Sequence, residues 1–263
     1  EVTWLSPGAD GRIAVDDLGN ALRPDTSLVS LMHANNETGV INDIAALGAL
    51  CRDNGTLFHV DAAQTAGKLL LDLAQLPVDL LSLSAHKFYG PKGVGVLYVR
   101  RHPSVRIEAQ MHGGGHERGL RSGTLAVHQI AGLGEALALA EERRHEDSLR
   151  IGALRNQLWE QLRDLPGVFL NGHPVQRLPG HLNLGFEGID ADTLIAALPG
   201  VAISSGSACT SASVEPSHVL TAMGVPRQRA LCSVRLSLGR QTTAPQLAQV
   251  AGQITEVVTR LRG

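Results

Sequence analysis

The chain has 263 residues, of which 43% are hydrophobic, 18% are charged and 3% are aromatic, and its formal net charge is -2. This length and composition predict a globular protein with two domains. The small net charge, the lack of a long basic run and the scarcity of aromatic rings argue against nucleic acid as a partner, and no apolar run has the length of a membrane span.

The first predicted strand covers residues 28–33 and is followed by an asparagine-rich turn. Asn35 and Asn36 open the sequence NNETG directly after this strand. A side-chain amide at a strand end can hydrogen-bond a ligand oxygen, although asparagine beside glycine is also ordinary turn chemistry. A helix is predicted next, from Ile44 to Asp53, with its stop at Asn54 and Gly55.

The second predicted strand, residues 56–61, ends in Asp61. A carboxylate at the carboxyl end of a strand can pair with the pyridine nitrogen of pyridoxal phosphate and keep it protonated. Aspartate is also a common helix N-cap. The residues alone leave both interpretations open.

The third predicted strand ends near Leu83 and is followed by Ser84, Ala85, His86 and Lys87. Ligands of open α/β sheets bind at the carboxyl ends of the strands, and a partly desolvated lysine there can attack a carbonyl such as that of pyridoxal phosphate. The alternative is a solvated surface lysine. Because strands and helices alternate from about residue 27 to residue 100, we expect an α/β fold with a mostly parallel sheet.

A long helical pattern begins after Leu125 and predicts a helix that bridges two domains. We place the division at residue 145, with a large domain at 1–144 and a smaller α+β domain at 145–263. His112 and His116 have a metal-ligand spacing only if they lie on a helix, and the three glycines between them argue against one. We therefore expect no resident metal.

The three cysteines are Cys51, Cys209 and Cys232. Their odd number, in a chain without a predicted signal peptide, favours free thiols in a reducing, cytoplasmic setting. Cys51 falls in the predicted helix and Cys232 precedes the alternation of Val234, Leu236 and Leu238, and both are interpreted as structural. Cys209 lies among small polar residues, which predicts a loop that presents either an incidental cysteine or a reactive one.

Six segments, taken together and in this order, resemble the cysteine desulfurases of the IscS/NifS type, which are class-V aminotransferase-like enzymes of pyridoxal phosphate fold type I. The segments are MHANNETG from Met32, HVDAAQTAGK from His59, SAHKFYGPKGVG from Ser84, QMHGGGHERGLRSGT from Gln110, SSGSACTSAS from Ser204 and SVRLSLGR from Ser233.

The resemblance implies a set of cofactor ligands and a substrate ligand. Lys87 would form the Schiff base with pyridoxal 5'-phosphate, and Arg235 would bind the substrate carboxylate with help from Asn36. The other cofactor ligands would be Asp61 at the ring nitrogen, Asn36 and Gln64 at the phenolate oxygen, Ser84 and His86 at the phosphate, and Thr124 at the phosphate of the neighbouring subunit of a homodimer.

The implied reaction converts L-cysteine to L-alanine and leaves the sulfur as a persulfide on Cys209. The sulfur would pass to an iron-sulfur scaffold protein and to other acceptors, for iron-sulfur cluster assembly and tRNA thiolation, and Cys209 is a candidate ligand of a cluster in transit. Selenocysteine lyase or another class-V enzyme is an alternative that needs no Cys209. Because the motifs begin early in the chain, we expect about the first third of a usual family member to be missing, which leaves a fragment acting in dimerisation or partner binding as a third alternative.

Overall fold

The computed structural model describes residues 1–103, 105–206 and 215–263. These residues form two compact units, each assembled from separate stretches of the chain. The first unit contains residues 1–21, 34–42 and 145–263, and the second contains residues 22–33 and 43–144. The predicted domains 1–144 and 145–263 stay a prediction.

The second unit is built on a four-stranded sheet with the order β1-β2-β3-β4. Strands β1, β2 and β3 run parallel, whereas β4 pairs antiparallel with β3. The predicted mostly parallel α/β sheet is therefore confirmed. The strands are β1 (Leu28–Met32), β2 (Leu57–Asp61), β3 (Leu80–Ser84) and β4 (Gly95–Val99).

Helix α2 (Ile44–Asp53) lies between β1 and β2 in the chain and has the bounds that its sequence predicts. Asp43 caps it by accepting a hydrogen bond from the amide of Ala46 at 3.0 Å. The apolar face of the helix, with Leu47 and Cys51 fully buried, packs in the core, and Gly55 follows its end at a φ of 73°.

The long predicted helix is a single helix, α3 (Val127–Leu162), and it belongs to both units in turn. In the second unit its buried Leu133 and Ala140 pack with Ala85 and Phe88. Beyond residue 145 it contributes to the main core of the first unit through Leu154, Leu158 and Leu162.

The first unit contains an antiparallel sheet with the order β5-β6-β8-β7. Every residue of the central strand β6 is buried, so both faces of the sheet are covered. The strands are β5 (Val168–Leu170), β6 (His181–Phe186), β7 (Ser204–Ser205) and β8 (Ser233–Ser237), and the helices are α1 (Val15–Ala21), α4 (Ala191–Ala196), α5 (His218–Ala222), α6 (Arg227–Leu231) and α7 (Ala244–Arg262).

Residues 34–42, which follow β1 in the chain, are held in the first unit by backbone hydrogen bonds. The amide of Leu178 donates to the carbonyl of Gly39 at 2.8 Å, and the amide of Ile41 donates to the carbonyl of Gln176. Gly39 has a φ of 76°, and a side chain there would overlap His181. In the described part of the chain, no helix combines the length and the apolarity needed to cross a membrane.

Candidate active site

The carboxyl ends of the three parallel strands lie side by side, as the sequence predicts. Asp61 is level with Met32 on β1 and with Ser82 on β3. Just past the strands, the amide of His33 donates to the carbonyl of Asp61 at 2.9 Å, and the amide of Ala62 donates to that of Ser82 at 2.8 Å. The polar residues that follow these strands therefore share one edge of the sheet.

Asp61 uses one carboxylate oxygen to shape the turn that follows β2. Its Oδ1 accepts a hydrogen bond from the amide of Ala63 at 2.8 Å, and the next residues form turns rather than a regular helix. Asp61 therefore makes the side-chain to backbone hydrogen bond expected of an N-cap, but it stabilises a turn instead of a helix. Since a carboxylate has two oxygens, the local bond is compatible with a ligand at the second. Gln64, in the same turn, is buried.

His33 contacts the turn that follows β2, and the sequence-based predictions gave it no role. Its side chain is 6% exposed, and its Nδ1 lies 3.1 Å from Oγ1 of Thr65. Burial lowers the pKa of His33 to about 4, against a smaller opposing effect of the Asp43 carboxylate. The imidazole is therefore neutral near pH 7. The only sequence signal for it is a histidine at the end of a predicted strand.

Ser84 ends β3, and His86 and Lys87 follow it in a short 3-10 helix at Ala85–Phe88. Ala85 and Phe88 are buried and hold this helix against the unit, which leaves the side chains of His86 and Lys87 exposed. The Ser84 hydroxyl and Nδ1 of His86 are 2.9 Å apart. A hydroxyl, an imidazole and an ammonium group are thus presented within four residues.

A second lysine, Lys68, strengthens the positive charge near Lys87. Burial, and then the charge of Lys87, lower the pKa of Lys68 to about 8. Two ammonium groups that repel each other at a sheet edge are stabilised by an anion bound nearby. Lys68 closes the segment HVDAAQTAGK, but nothing in that pattern distinguished it from a surface lysine.

This donor set fits pyridoxal phosphate. The phosphate needs hydroxyl, imidazole and cationic donors, which Ser84, His86 and Lys68 could supply, while Lys87 could bond to the aldehyde carbon. A protonated ring nitrogen needs an acceptor such as the second oxygen of Asp61. The amide of Gln64 can donate to a phenolate oxygen.

Within the first unit, the structure brings Arg235 and Asn36 together. Arg235 lies on β8 between Asn183 and Ser204, and its Nη1 donates to the carbonyl oxygen of Asn36 at 3.1 Å. The side chain of Asn35 folds the turn, because its Oδ1 accepts from the amide of Glu37 at 2.8 Å. The Asn36 backbone thus fixes one end of the Arg235 guanidinium.

Glu37 is a further residue that the sequence analysis missed. It is 2% exposed, and its Oε2 accepts a hydrogen bond from the Ser217 hydroxyl at 2.5 Å. Burial raises the pKa of Glu37, while the hydrogen bond from Ser217 and the charges of His218 and Arg235 act in the opposite direction. The residue stands inside the NNETG segment, where a buried acid has no distinctive pattern.

The remaining predicted site residues are less defined. Thr124 is exposed in the segment before α3, next to Gly123, whose amide donates to Nδ1 of His116 at 3.3 Å. Cys209 lies outside the described residues.

Cys51 is buried, and its burial and the Asp79 carboxylate raise its pKa to about 11, so it is a poor nucleophile. Among the described residues, no cluster of three or more histidine, cysteine or acidic side chains could hold a metal ion.

The aminotransferase class-V family model matches residues 1–250. The chain belongs to this family. A solved NifS-like protein is 36% identical and superposes with a TM-score of 0.90 over 99% of this chain and 68% of its own. SspA, solved in complex with cysteine, is 35% identical with a TM-score of 0.77 over 92% of this chain and 67% of its own. The cysteine desulfurase IscS of Tolumonas auensis is 54% identical over the whole chain.

These findings confirm the resemblance to the IscS/NifS type, the fold type I architecture and pyridoxal phosphate as the cofactor of the family. The chain spans 65% of the length of the curated IscS relatives that it matches.

Proposed function

We propose that this chain carries the lysine and cysteine nucleophiles of a cysteine desulfurase, which converts L-cysteine to L-alanine and keeps the sulfur as a persulfide on Cys209. The observation that carries the proposal is the grouping of Lys87, Asp61, Ser84 and His86 at one strand edge of a NifS-like fold. The relatives named cysteine desulfurase, and the cysteine bound to SspA, support this substrate.

Each predicted cofactor ligand has a role that its chemistry suits. Lys87 would hold the cofactor through its Nζ, and Asp61 would accept a hydrogen bond from the ring nitrogen. Ser84 and His86 would donate to the phosphate, and Gln64 and Asn36 to the phenolate oxygen. When bound, pyridoxal phosphate supplies an electron sink for the α-carbon of the substrate. The free amine of Lys87 then takes the α-proton of the substrate and returns it.

Arg235 would orient the substrate through its carboxylate. A guanidinium fork matches a carboxylate with two parallel hydrogen bonds, and the bond to the Asn36 carbonyl restricts the rotation of that fork before the substrate arrives. This pre-ordering lowers the entropy lost on binding.

Sulfur transfer would proceed through the thiolate of Cys209. Its Sγ bonds to the sulfur of the substrate while the Cβ–S bond of the substrate breaks. The electron pair of the broken bond stays with the carbon part, which takes up a proton and leaves as alanine. No external oxidant or reductant is required, because the carbon part gains the two electrons that the sulfur loses when the persulfide forms.

The resemblance to the IscS/NifS type also implies partners for this chain. We infer that the protein is a cytoplasmic homodimer in which Thr124 contacts the phosphate bound by the neighbouring subunit. The persulfide would be passed to an iron-sulfur scaffold protein and to acceptors that serve tRNA thiolation. These inferences rest on the resemblance to the IscS/NifS type, whereas nucleic acid and membrane contacts have no support in the charge or hydropathy of the chain.

Cofactor binding is the first test. The protein is mixed with pyridoxal phosphate, freed of excess, and examined for the Schiff-base absorption band before and after L-cysteine. We expect the band in the wild type and in Lys92→Ala, a matched control at an exposed lysine five residues away, and its loss in Lys87→Ala. A band that survives Lys87→Ala would contradict the assignment of the lysine.

Turnover is the second test, read as alanine released from L-cysteine. Cys209→Ser should abolish it, while the half-buried Cys232→Ser should retain it. Arg235→Lys should raise KM about 10- to 100-fold, since a bidentate charged hydrogen bond contributes roughly 1.5 to 3 kcal/mol. Undiminished turnover in Cys209→Ser would refute the desulfurase mechanism and favour a class-V enzyme that needs no cysteine.

A further inference from the structure

The buried carboxylate of Glu37 contacts both residues that flank the segment containing Cys209. That segment, residues 207–216, lies between Gly206 and Ser217 in the chain. Ser217 donates its hydroxyl to Oε2 of Glu37 at 2.5 Å, and the same hydroxyl caps α5 by accepting from the amide of Leu220 at 3.2 Å. One carboxylate oxygen therefore holds the downstream end of the segment.

The upstream end packs against the same oxygen. Gly206 is buried, and a Cβ built on it would overlap Oε2 of Glu37 and would lie 3.1 Å from the Cβ of Ser217. Only glycine allows the backbone to approach the carboxylate this closely. Gly206 and Ser217, which flank a segment ten residues long, therefore both lie against the Glu37 carboxylate.

Glu37 is itself held firmly. Its carbonyl accepts from Nδ2 of Asn183 at 3.3 Å, and its amide donates to Asn35. Asn183 is fully buried on β6, and its Oδ1 accepts from Nδ2 of Asn171 at 2.8 Å. Glu37 is therefore fixed through its backbone and is buried in the first unit.

We propose that Glu37 is a positioning residue that fastens both ends of segment 207–216 and so fixes the two points from which Cys209 reaches the substrate. The catalytic consequence rests on the proposed desulfurase function, whereas the fastening itself does not. Arg235, whose charge acts on Glu37, is on β8 and pairs with β7, the strand that leads directly into Gly206.

Amide hydrogen exchange tests the fastening without any activity. In Glu37→Ala, exchange at Ser205, before the segment, and at Thr221, after it, should accelerate together by about tenfold or more, the effect of losing a hydrogen bond to a charged group. Glu37→Gln retains an acceptor for Ser217 and should have a smaller effect. Asp190→Ala, which removes the N-cap of α4 in the same unit, is the control and should leave both sites unchanged. Acceleration at one end only, or at neither, would overturn the proposal.

A second experiment uses the contact with Gly206. Gly206→Ala should accelerate exchange at the same two sites, because its methyl group displaces the carboxylate. In the double variant with Glu37→Ala, that methyl group gains room, so the two effects should combine to much less than their product. Independent, multiplicative effects on exchange would show that Gly206 and Glu37 are not energetically coupled.

Kinetics of the cofactor-loaded protein test the catalytic consequence. Glu37→Ala should lower kcat for alanine release about tenfold with little change in KM, and Glu37→Gln should lower it less. The absorbance change on adding L-cysteine should persist in both, because that change precedes the reaction of Cys209. A raised KM with unchanged kcat would mean that Glu37 acts through Arg235 and would refute positioning of Cys209. If the wild type released no alanine, the desulfurase proposal would fail, and the exchange experiments would still decide the fastening.

Discussion

Protonation of His33 should make the stability of this protein depend on pH. The pKa of His33 falls from 6.5 to about 4 on folding, because the imidazole is buried against Thr65. Between these two values the unfolded chain binds the proton more readily than the folded chain does. The free energy of unfolding is therefore highest above pH 6.5 and decreases as the pH falls toward 4.

The size of the effect follows from the shift. Each pKa unit corresponds to about 1.4 kcal/mol, so the full loss is about 3 kcal/mol below pH 4 and about 2 kcal/mol at pH 5. Because His33 is 6% exposed, solvent screening reduces this figure little. His33→Asn removes the titration, and its amide can still bond the Thr65 hydroxyl.

Urea unfolding at pH 8 and at pH 5 measures the effect. The wild type should lose about 2 kcal/mol more than His33→Asn between the two pH values. His128→Asn, at an exposed position on α3, is the control and should parallel the wild type. A difference between wild type and His33→Asn that is the same at both pH values would refute the burial of a neutral imidazole.

Three further predictions concern the packing. Cys51, with a pKa of about 11, should resist iodoacetamide at pH 8 in the folded protein and react after denaturation in urea; equal rates would contradict its burial. Gly185→Ala should lower the free energy of unfolding by about 1 to 3 kcal/mol, because its methyl group would overlap the ring of Phe169, whereas Gly134→Ala on α3, with open space around it, should be neutral or stabilising. Asp43→Ala should remove the cap of α2 and destabilise by about 1 kcal/mol in the same denaturation assay, and an unchanged midpoint would contradict the cap.

The elements of this fold that could be predicted from sequence are those with strong local signals. The bounds of α2 follow from the cap at Asp43 and the stop at Gly55, and the helical spacing after Leu125 predicts α3. The strand ends at Asp61 and Ser84 were predictable for the same reason, since apolar runs stop at polar residues there. Short-range patterns are sufficient for these features.

The features that sequence could not predict depend on partners distant in the chain. Glu37 and Ser217 are 180 residues apart, and the sequence around neither residue predicts a buried hydrogen bond. The roles of Lys87, Asp61, Cys209 and the other site residues stay predictions until the experiments above are done.

The discontinuous make-up of the two units constrains the order in which the chain can fold during synthesis. Residues 34–42 emerge from the ribosome early, yet their partners at Arg177, Leu178 and Asn183 are made more than 130 residues later. Until then this stretch has no native surface to join, and closing so long a loop is slow. We therefore expect the second unit, whose last residue is 144, to fold first. The NNETG turn would reach its native position only after the carboxyl-terminal sheet has been made.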